Sequence, residues 1–184
     1  DVARYADSNG YSIDAPRNIW KYRDWVIDAL NRDLPYDQFV IEQLAGDLLP
    51  NATREQTLAT AYLRVGKRTT ENGAIDAEYK AEYMVERTDN ALGVAFLGLT
   101  VGCARCHDHK YDPIKQTDYY SLGAFFNSND EPGAYAPGFS GIQGGPTLPW
   151  PDEATAAALE KAEAEVVARG ADYEAARAVA HAAA

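Results

Sequence analysis

Ile19-Trp20-Lys21-Tyr22-Arg23-Asp24-Trp25-Val26-Ile27-Asp28-Ala29-Leu30 decides the fold class. Ile19, Trp20, Tyr22, Trp25, Val26, Ala29 and Leu30 recur at the spacing that gathers apolar side chains on one helix face, and a strand would need strict alternation instead. Asp14-Ala15-Pro16-Arg17 ahead of it reads as the helix start, an acidic residue followed by proline being an entry signature. Leu34-Pro35 then breaks the chain, and Tyr36 to Ala45 carries Phe39, Val40, Gln43 and Leu44 on a second stripe. Gly46 is predicted to close that helix in the left-handed conformation, giving a helical hairpin.

The same pattern continues outward. Thr53 with Gln56 is a capping box opening a third helix through Leu58, Ala61, Tyr62 and Val65, with Gly66 as its stop. Lys67 to Gly73 reads as a loop. Asp76 to about Leu97 gives the longest helical pattern, with Tyr79, Tyr83, Met84, Arg87, Ala91, Val94 and Ala95 near one face. Asp112-Pro113 marks a turn, and Asp118 is placed to cap a short helix, Tyr119 to Phe126, whose aromatics are predicted to face inward. Asp152 caps an Ala- and Glu-rich helix bearing a thin stripe of Leu159, Ala162, Val166 and Tyr173. The fold class is therefore mainly α: an irregular helical domain over 1–128, a Gly- and Pro-rich loop over 129–151, and a helical arm over 152–184 that continues into a further domain. No strand pattern and no internal repeat stands out.

Composition narrows the function classes. With 46% hydrophobic and 24% charged residues the chain is an ordinary globular one. Its formal net charge of −11 repels phosphate backbones and anionic surfaces, which argues against nucleic acid and favours a protein partner with a basic face. The longest apolar run, Ala95 to Gly102, falls far short of the roughly 20 residues a membrane helix needs, so this piece has no membrane span. Asp1 begins without a leader and Ala184 ends inside a helical pattern, so the chain reads as part of a longer polypeptide.

Both cysteines of the chain lie in Cys103-Ala104-Arg105-Cys106-His107, and Cys-x-x-Cys-His is the attachment spacing of c-type haem. Two thiols add to the vinyl groups on one edge of the porphyrin, and the adjacent His107 lies where it can bind iron. Three other readings stand beside it. A thioredoxin-type disulfide wants a strand-to-helix context, and the context here is helical. Structural zinc on Cys103, Cys106, His107 and His109 would crowd four ligands into a short run, whereas such sites draw pairs from separate segments. The thiols are otherwise small buried hydrophobes.

The run Phe96-Leu-Gly-Leu-Thr-Val-Gly-Cys103-Ala-Arg-Cys106-His107-Asp-His109-Lys-Tyr-Asp-Pro-Ile114, followed by Asp118-Tyr119-Tyr120, resembles the planctomycete-type cytochrome c family. Asp1 to Gly10, Trp20-Lys-Tyr-Arg-Asp-Trp25-Val-Ile, Pro35-Tyr-Asp-Gln-Phe39 and Gln43-Leu-Ala-Gly-Asp-Leu-Leu-Pro50 look like the second cytochrome domain of that family, so the resemblance covers residues 1 to about 128. It implies a domain of a large exported polypeptide, flanked by a cytochrome-like domain and a C-terminal domain. It implies no settled activity.

On the haem reading the cofactor is haem c, held by Cys103 and Cys106 with His107 on iron, and seated between the motif, the C-terminal half of the Asp76 to Leu97 helix and the Tyr119 to Phe126 helix. Met84, the sole thioether, is the candidate for the second axial position; His109 sits too close to His107 to reach the far face and suits a supporting role beside Asp108 or Asp112. His181 reads as solvated, and an open or water-bound position is the remaining option. Arg87, Arg105 and Lys110 are the cations that could pair with haem propionates, against the plainer reading of surface ion pairs, with Asp89 or Glu86 as the partner of Arg87. Haem ligation places the domain in the periplasm or otherwise outside the cytoplasm. Three functions follow: electron transfer between a redox partner protein and further domains, a haem redox enzyme with an open iron position, or a structural and interaction module, with zinc at the same residues as a variant. Electron transfer is favoured over catalysis.

Overall fold

Tyr22 on the first helix donates a hydrogen bond to Gln43 Oε1 on the second at 2.6 Å, and Gln43 Nε2 donates to the Phe39 carbonyl at 2.9 Å. That amide is 1% exposed, so both halves of it are satisfied inside the core, as a buried polar group requires. The two helices are α1 (Trp20–Asn31) and α2 (Tyr36–Ala45) of a computed structural model that describes residues 2–8, 10, 14, 16–67, 76–128 and 147–182, with backbone alone for 76–80 and 179–182. They form the hairpin that the apolar spacing predicts. The chain divides into two units, Asp1–Thr147 and Leu148–Ala184.

The core of the first unit is aromatic. Trp25 stacks on Phe39 with ring centroids 5.5 Å apart, Tyr22 lies 6.2 Å from Tyr62, and Tyr62 lies 5.0 Å from Phe96. Ala29 and Ala59 are fully buried and let α1 pack closely on α3 (Arg54–Ala59). The buried face of α1 is Tyr22, Trp25 and Ala29, while Trp20, Ile27 and Leu30 are exposed, so the inward stripe is narrower than the sequence spacing suggests.

Two helix ends differ from expectation, each because a tertiary contact takes over. Pro16 to Ile19 stay outside α1, which begins at Trp20. Arg17 is used elsewhere: its amide donates to the Asp7 carbonyl at 2.9 Å, and its guanidinium to the carbonyls of Ala6, Arg64, Val65 and Gly66. The last three lie at and just beyond the end of the 3₁₀ segment Thr60–Arg64, where carbonyls have no partner within the helix, so Arg17 caps another element's C-terminus instead of extending its own. Gly46 is right-handed at φ −60° and the chain runs on as a 3₁₀ turn, Gly46–Leu48. Glycine is needed there for approach, since a Cβ would stand 2.2 Å from the Gln56 carbonyl oxygen. The capping box of α3 forms as predicted, with Gln56 N donating to Thr53 Oγ1 at 3.1 Å and Thr53 N to Gln56 Oε1 at 3.0 Å.

The long helix begins as α4 (Asp76–Glu86) and continues without a break as a π-helical segment, Arg87–Leu97. Its bonds close i to i+5, a wider turn that rotates side chains away from the ordinary helical face. Ala91 and Ala95 reach the aromatic core as the spacing predicts, Phe96 joins them, Tyr62 donates to the Ala91 carbonyl at 2.6 Å, and Val94, predicted inward, is exposed. The predicted loop 67–73 lies, beyond Lys67, outside the described residues.

Helix α5 (Gln116–Gly123) starts earlier than predicted. Asp118 sits inside the first turn and accepts the Lys115 amide at 2.8 Å. Only one face of this short helix is covered: Tyr119 is buried, while Tyr120 and Phe125 are exposed, against the prediction that its aromatics face inward. A second, smaller core joins Val101, Ala104 and Tyr119, with Ile114 against it. In the second unit, Thr155 N donates to Asp152 Oδ1 at 2.7 Å, capping α6 (Glu153–Ala182) as predicted, and Leu159, Val166 and Tyr173 are exposed along that helical arm. Among the described residues no strand forms beyond one isolated bridge, Ser8 to Pro16, and no helix is long and apolar enough to cross a membrane.

Burial holds the Tyr22 and Tyr62 phenols well above their ordinary value of 10.0. The unfolded chain releases these protons from about pH 10 while the folded chain keeps them, so this contribution to stability is intact below pH 10 and lost above it. The urea midpoint of the chain is therefore expected to fall steeply above about pH 10, and Tyr62→Phe to make that fall shallower.

Candidate functional site

The π segment ends at Gly98, which takes the left-handed conformation at φ 66°, and the amides of Gly98 and Leu99 both donate to the Gly93 carbonyl, the latter at 2.9 Å. A left-handed glycine at this place reverses the chain and supplies a partner to the orphan carbonyl. Val101 then folds back onto the helix it has just left: a Cβ on Gly93 would stand 2.7 Å from Val101 Cγ2. The motif follows as a 3₁₀ turn, Val101–Arg105. With three residues per turn, residues three apart share a side. Val101 and Ala104 are buried against Tyr119, and Cys103 and Cys106 are exposed and free. The turn thus presents both thiols outward while its apolar side anchors it.

His107 is exposed, and its Nδ1 lies 2.8 Å from the Asp108 carbonyl oxygen. A carbonyl only accepts, so Nδ1 carries the proton and the neutral ring keeps its lone pair on Nε2. A ring held in this way could offer Nε2 to a metal, with the backbone setting its tautomer and direction. The start of α5 holds the motif from behind. The Arg105 carbonyl accepts from Gln116 Nε2 at 3.1 Å and from the Tyr120 hydroxyl at 3.0 Å, and Asp108 Oδ1 accepts the Gln116 amide at 2.9 Å.

Arg105, an exposed cation, stays with Cys103, Cys106 and His107. Arg87 and Met84 do not join them. Arg87 is 2% exposed, donates from Nε to the Leu63 carbonyl at 3.3 Å and lies 3.7 Å over the Tyr83 ring. Met84 Sδ packs at Gly123, 3.3 Å from where a Cβ would be, and the Met84 carbonyl accepts from Thr88 Oγ1 at 2.8 Å. Gly123 is the far end of α5 from Gln116, about 10 Å along the axis.

The His109 side chain is 6% exposed, and its Nδ1 accepts the amides of Asp112 at 2.9 Å and Tyr111 at 3.3 Å. With two donors converging on it, Nδ1 holds the lone pair although Asp112 Oδ2 stands 3.2 Å away, so the proton is on Nε2. His109 thus braces the loop from Asp108 to Ile114, whose carbonyl accepts its amide at 2.8 Å. Lys110 lies 5.2 Å over the Tyr111 ring. The side chain of His181 is outside the described residues. Among those described, no group of three or more His, Cys, Asp or Glu residues is placed to hold a metal ion.

Periodicity gave no notice of Gly93, Gly102 or of Asp89 beneath the turn, because each acts through a contact distant in sequence. A Cβ on Gly102 would stand 2.8 Å from Asp89 Oδ2, and burial followed by the neighbouring Asp89 carboxylate pushes the Tyr119 phenol well above its ordinary value, with Arg105 opposing.

A family model described as "PSCyt2: Protein of unknown function (DUF1549)" matches residues 1–131. The chain belongs to the PSCyt2 family. The match takes in both hairpin helices, the long helix, the thiol-bearing turn and α5. No curated protein and no solved structure matches the chain.

The two motif histidines should separate on mutation. His109→Ala removes an enclosed ring and the acceptor of the part-buried Asp112 amide, and is expected to cost about 1–2 kcal/mol, whereas His107→Ala, at an exposed ring, is expected to stay within about 0.5 kcal/mol. Urea unfolding of the chain without added cofactor measures both.

Proposed function

We propose that this chain carries one covalently attached haem c on Cys103 and Cys106, with His107 as an iron ligand, and that it transfers electrons within a larger exported polypeptide. The observation that carries the reading is the motif turn itself, where both thiols are free and exposed and the contact of His107 Nδ1 with the Asp108 carbonyl leaves Nε2 available. Exposed Leu97, Leu99 and Tyr120, on the elements that flank or hold the turn, supply apolar surface of the kind a porphyrin covers. The donor set therefore fits the group.

Haem iron, when bound, supplies a one-electron couple. The residues of the chain do the rest: Cys103 and Cys106 attach, Asp108 fixes the His107 ring through its carbonyl, and Gln116 and Tyr120 hold the turn. Arg105 is the exposed cation beside the thiols and the candidate partner for a propionate. Arg87 has its partners in the interior, and we give it no such role. A net charge of −11 suits a redox partner with a basic face, and the need for a dedicated ligation system places the protein in the periplasm or otherwise outside the cytoplasm.

A second reading has one observation in its favour. Met84 Sδ packs against Gly123, and His109 Nδ1 is taken up by two amides, so neither is set towards the motif. An iron position open to small ligands, and with it a haem redox enzyme, is the runner-up.

Denaturing mass spectrometry of protein made in a strain with working haem ligation is expected to show one covalent haem per chain, and Cys103→Ser or Cys106→Ser at most one thioether. Wild-type chain without that added mass would end the proposal and make zinc analysis the next step. On the loaded protein, rapid binding of carbon monoxide or cyanide selects the open-iron reading, and resistance selects electron transfer.

A further inference from the structure

Beneath the motif turn lies a carboxylate that the haem reading does not use. Asp89 stands on the π-helical segment, and its Oδ2, Cγ and Oδ1 lie 2.8, 3.2 and 3.7 Å from the place a Cβ on Gly102 would occupy. Its Oδ1 is enclosed without a hydrogen-bond donor in full geometry, and the enclosed Tyr119 hydroxyl is likewise without an acceptor. One group lacks what the other offers. The two meet under the same turn, Tyr119 packing on Val101 and Ala104 while Asp89 meets Gly102 between them, and the carboxylate helps hold the Tyr119 phenol above its ordinary value. A buried carboxylate is tolerated when hydrogen-bonded, and the phenolic proton is the donor at hand.

We propose that Asp89 and Tyr119 are a positioning pair for the thiol-bearing turn: the Tyr119 hydroxyl donates to the Asp89 carboxylate, and that carboxylate fills the space a side chain at residue 102 would take. The turn then has a complete inner side, with Val101 and Ala104 in the small core and Gly102 seated on Asp89, which leaves Cys103 and Cys106 facing outward together. The proposal rests on the haem reading only for what the thiols are used for.

The test uses the full chain without haem. Gly102→Ala alone drives a Cβ into the carboxylate and is expected to lower the urea midpoint; in an Asp89→Ala background the same change is expected to cost less than about half as much, the non-additivity of residues in contact. Position-resolved maleimide labelling of Cys103 and Cys106 supplies a readout that general destabilisation does not move. Asp89→Ala is expected to change the ratio of the two labelling rates by about threefold or more, while Asp89→Asn, which keeps an acceptor and the shape, stays within about twofold of wild type. Tyr22→Phe, a core change remote from the turn, is expected to leave the ratio alone. If Asp89→Ala does not fold, Tyr119→Phe carries the test, shifting the ratio in the same direction. An additive cycle, an Asp89→Asn chain that behaves like Asp89→Ala, or a Tyr22→Phe chain that shifts the ratio equally overturns the pair. Absence of covalent haem alongside a non-additive cycle would sink the haem reading and leave the pair standing.

Discussion

Everything near the motif depends on the long helix Asp76–Leu97 serving two cores at once. On one side the Ala91 carbonyl takes the Tyr62 hydroxyl, and Ala95 and Phe96 pack on the aromatic cluster. On the other, Gly93 receives Val101 and Asp89 sits under Gly102. An ordinary α-helix repeats every 3.6 residues and would turn a single stripe towards one core. The widened Arg87–Leu97 segment turns more of its circumference inward, which is how Arg87, Thr88 and Gly93 are all buried in it. Irregular helix of this kind is costly in backbone geometry and is found where function needs an unusual side-chain direction. Here it carries the platform on which the turn is laid.

Arg17 does for the first half of the unit what α5 does for the second. Its guanidinium gathers four carbonyls from two chain segments, so the N-terminal segment is held to the end of the Thr60–Arg64 turn by one buried cation. Buried charge is tolerated on these terms because carbonyls converging from a helical C-terminus present the negative end of their dipoles. In the same way the Arg105 carbonyl takes two donors from α5, and backbone groups, more than salt bridges, set the position of the motif.

What could be read from the sequence was whatever the chain encodes locally. The apolar spacing of Tyr22, Trp25 and Ala29, the Thr53 and Gln56 capping box, the Asp152 cap and the Cys103 to His107 spacing all act within a few residues, and each has its meaning in the pattern itself. Gly46 was legible as special but not for the right reason: its use comes from the Gln56 carbonyl, which only the fold brings near. Val94 and Phe125 were misplaced because a π segment and a short, half-covered helix do not follow the period assumed for them. Asp89 and Tyr119 carry no local signal of their association, thirty positions apart in sequence and joined only by the packing of α5 on the long helix.

The close packing also constrains how any group on the thiols would be held. The motif turn, the π segment and α5 touch one another directly, through Gly93 and Val101, through Asp89 and Gly102, and through Gly123 with Thr88 and Met84. The seat expected from the sequence, between these three elements, is crossed by these contacts at Gly93, Gly102 and Gly123. Under the proposed function the haem is therefore held against the outer side of the turn, where the thiols point, and the exposure of Leu97, Leu99 and Tyr120 is what such a seat requires. Cys103 and Cys106 would hold the group there and His107 would supply its iron ligand, with the hydrogen bond to the Asp108 carbonyl setting the direction of the imidazole, and a group so placed would suit electron exchange with a partner surface.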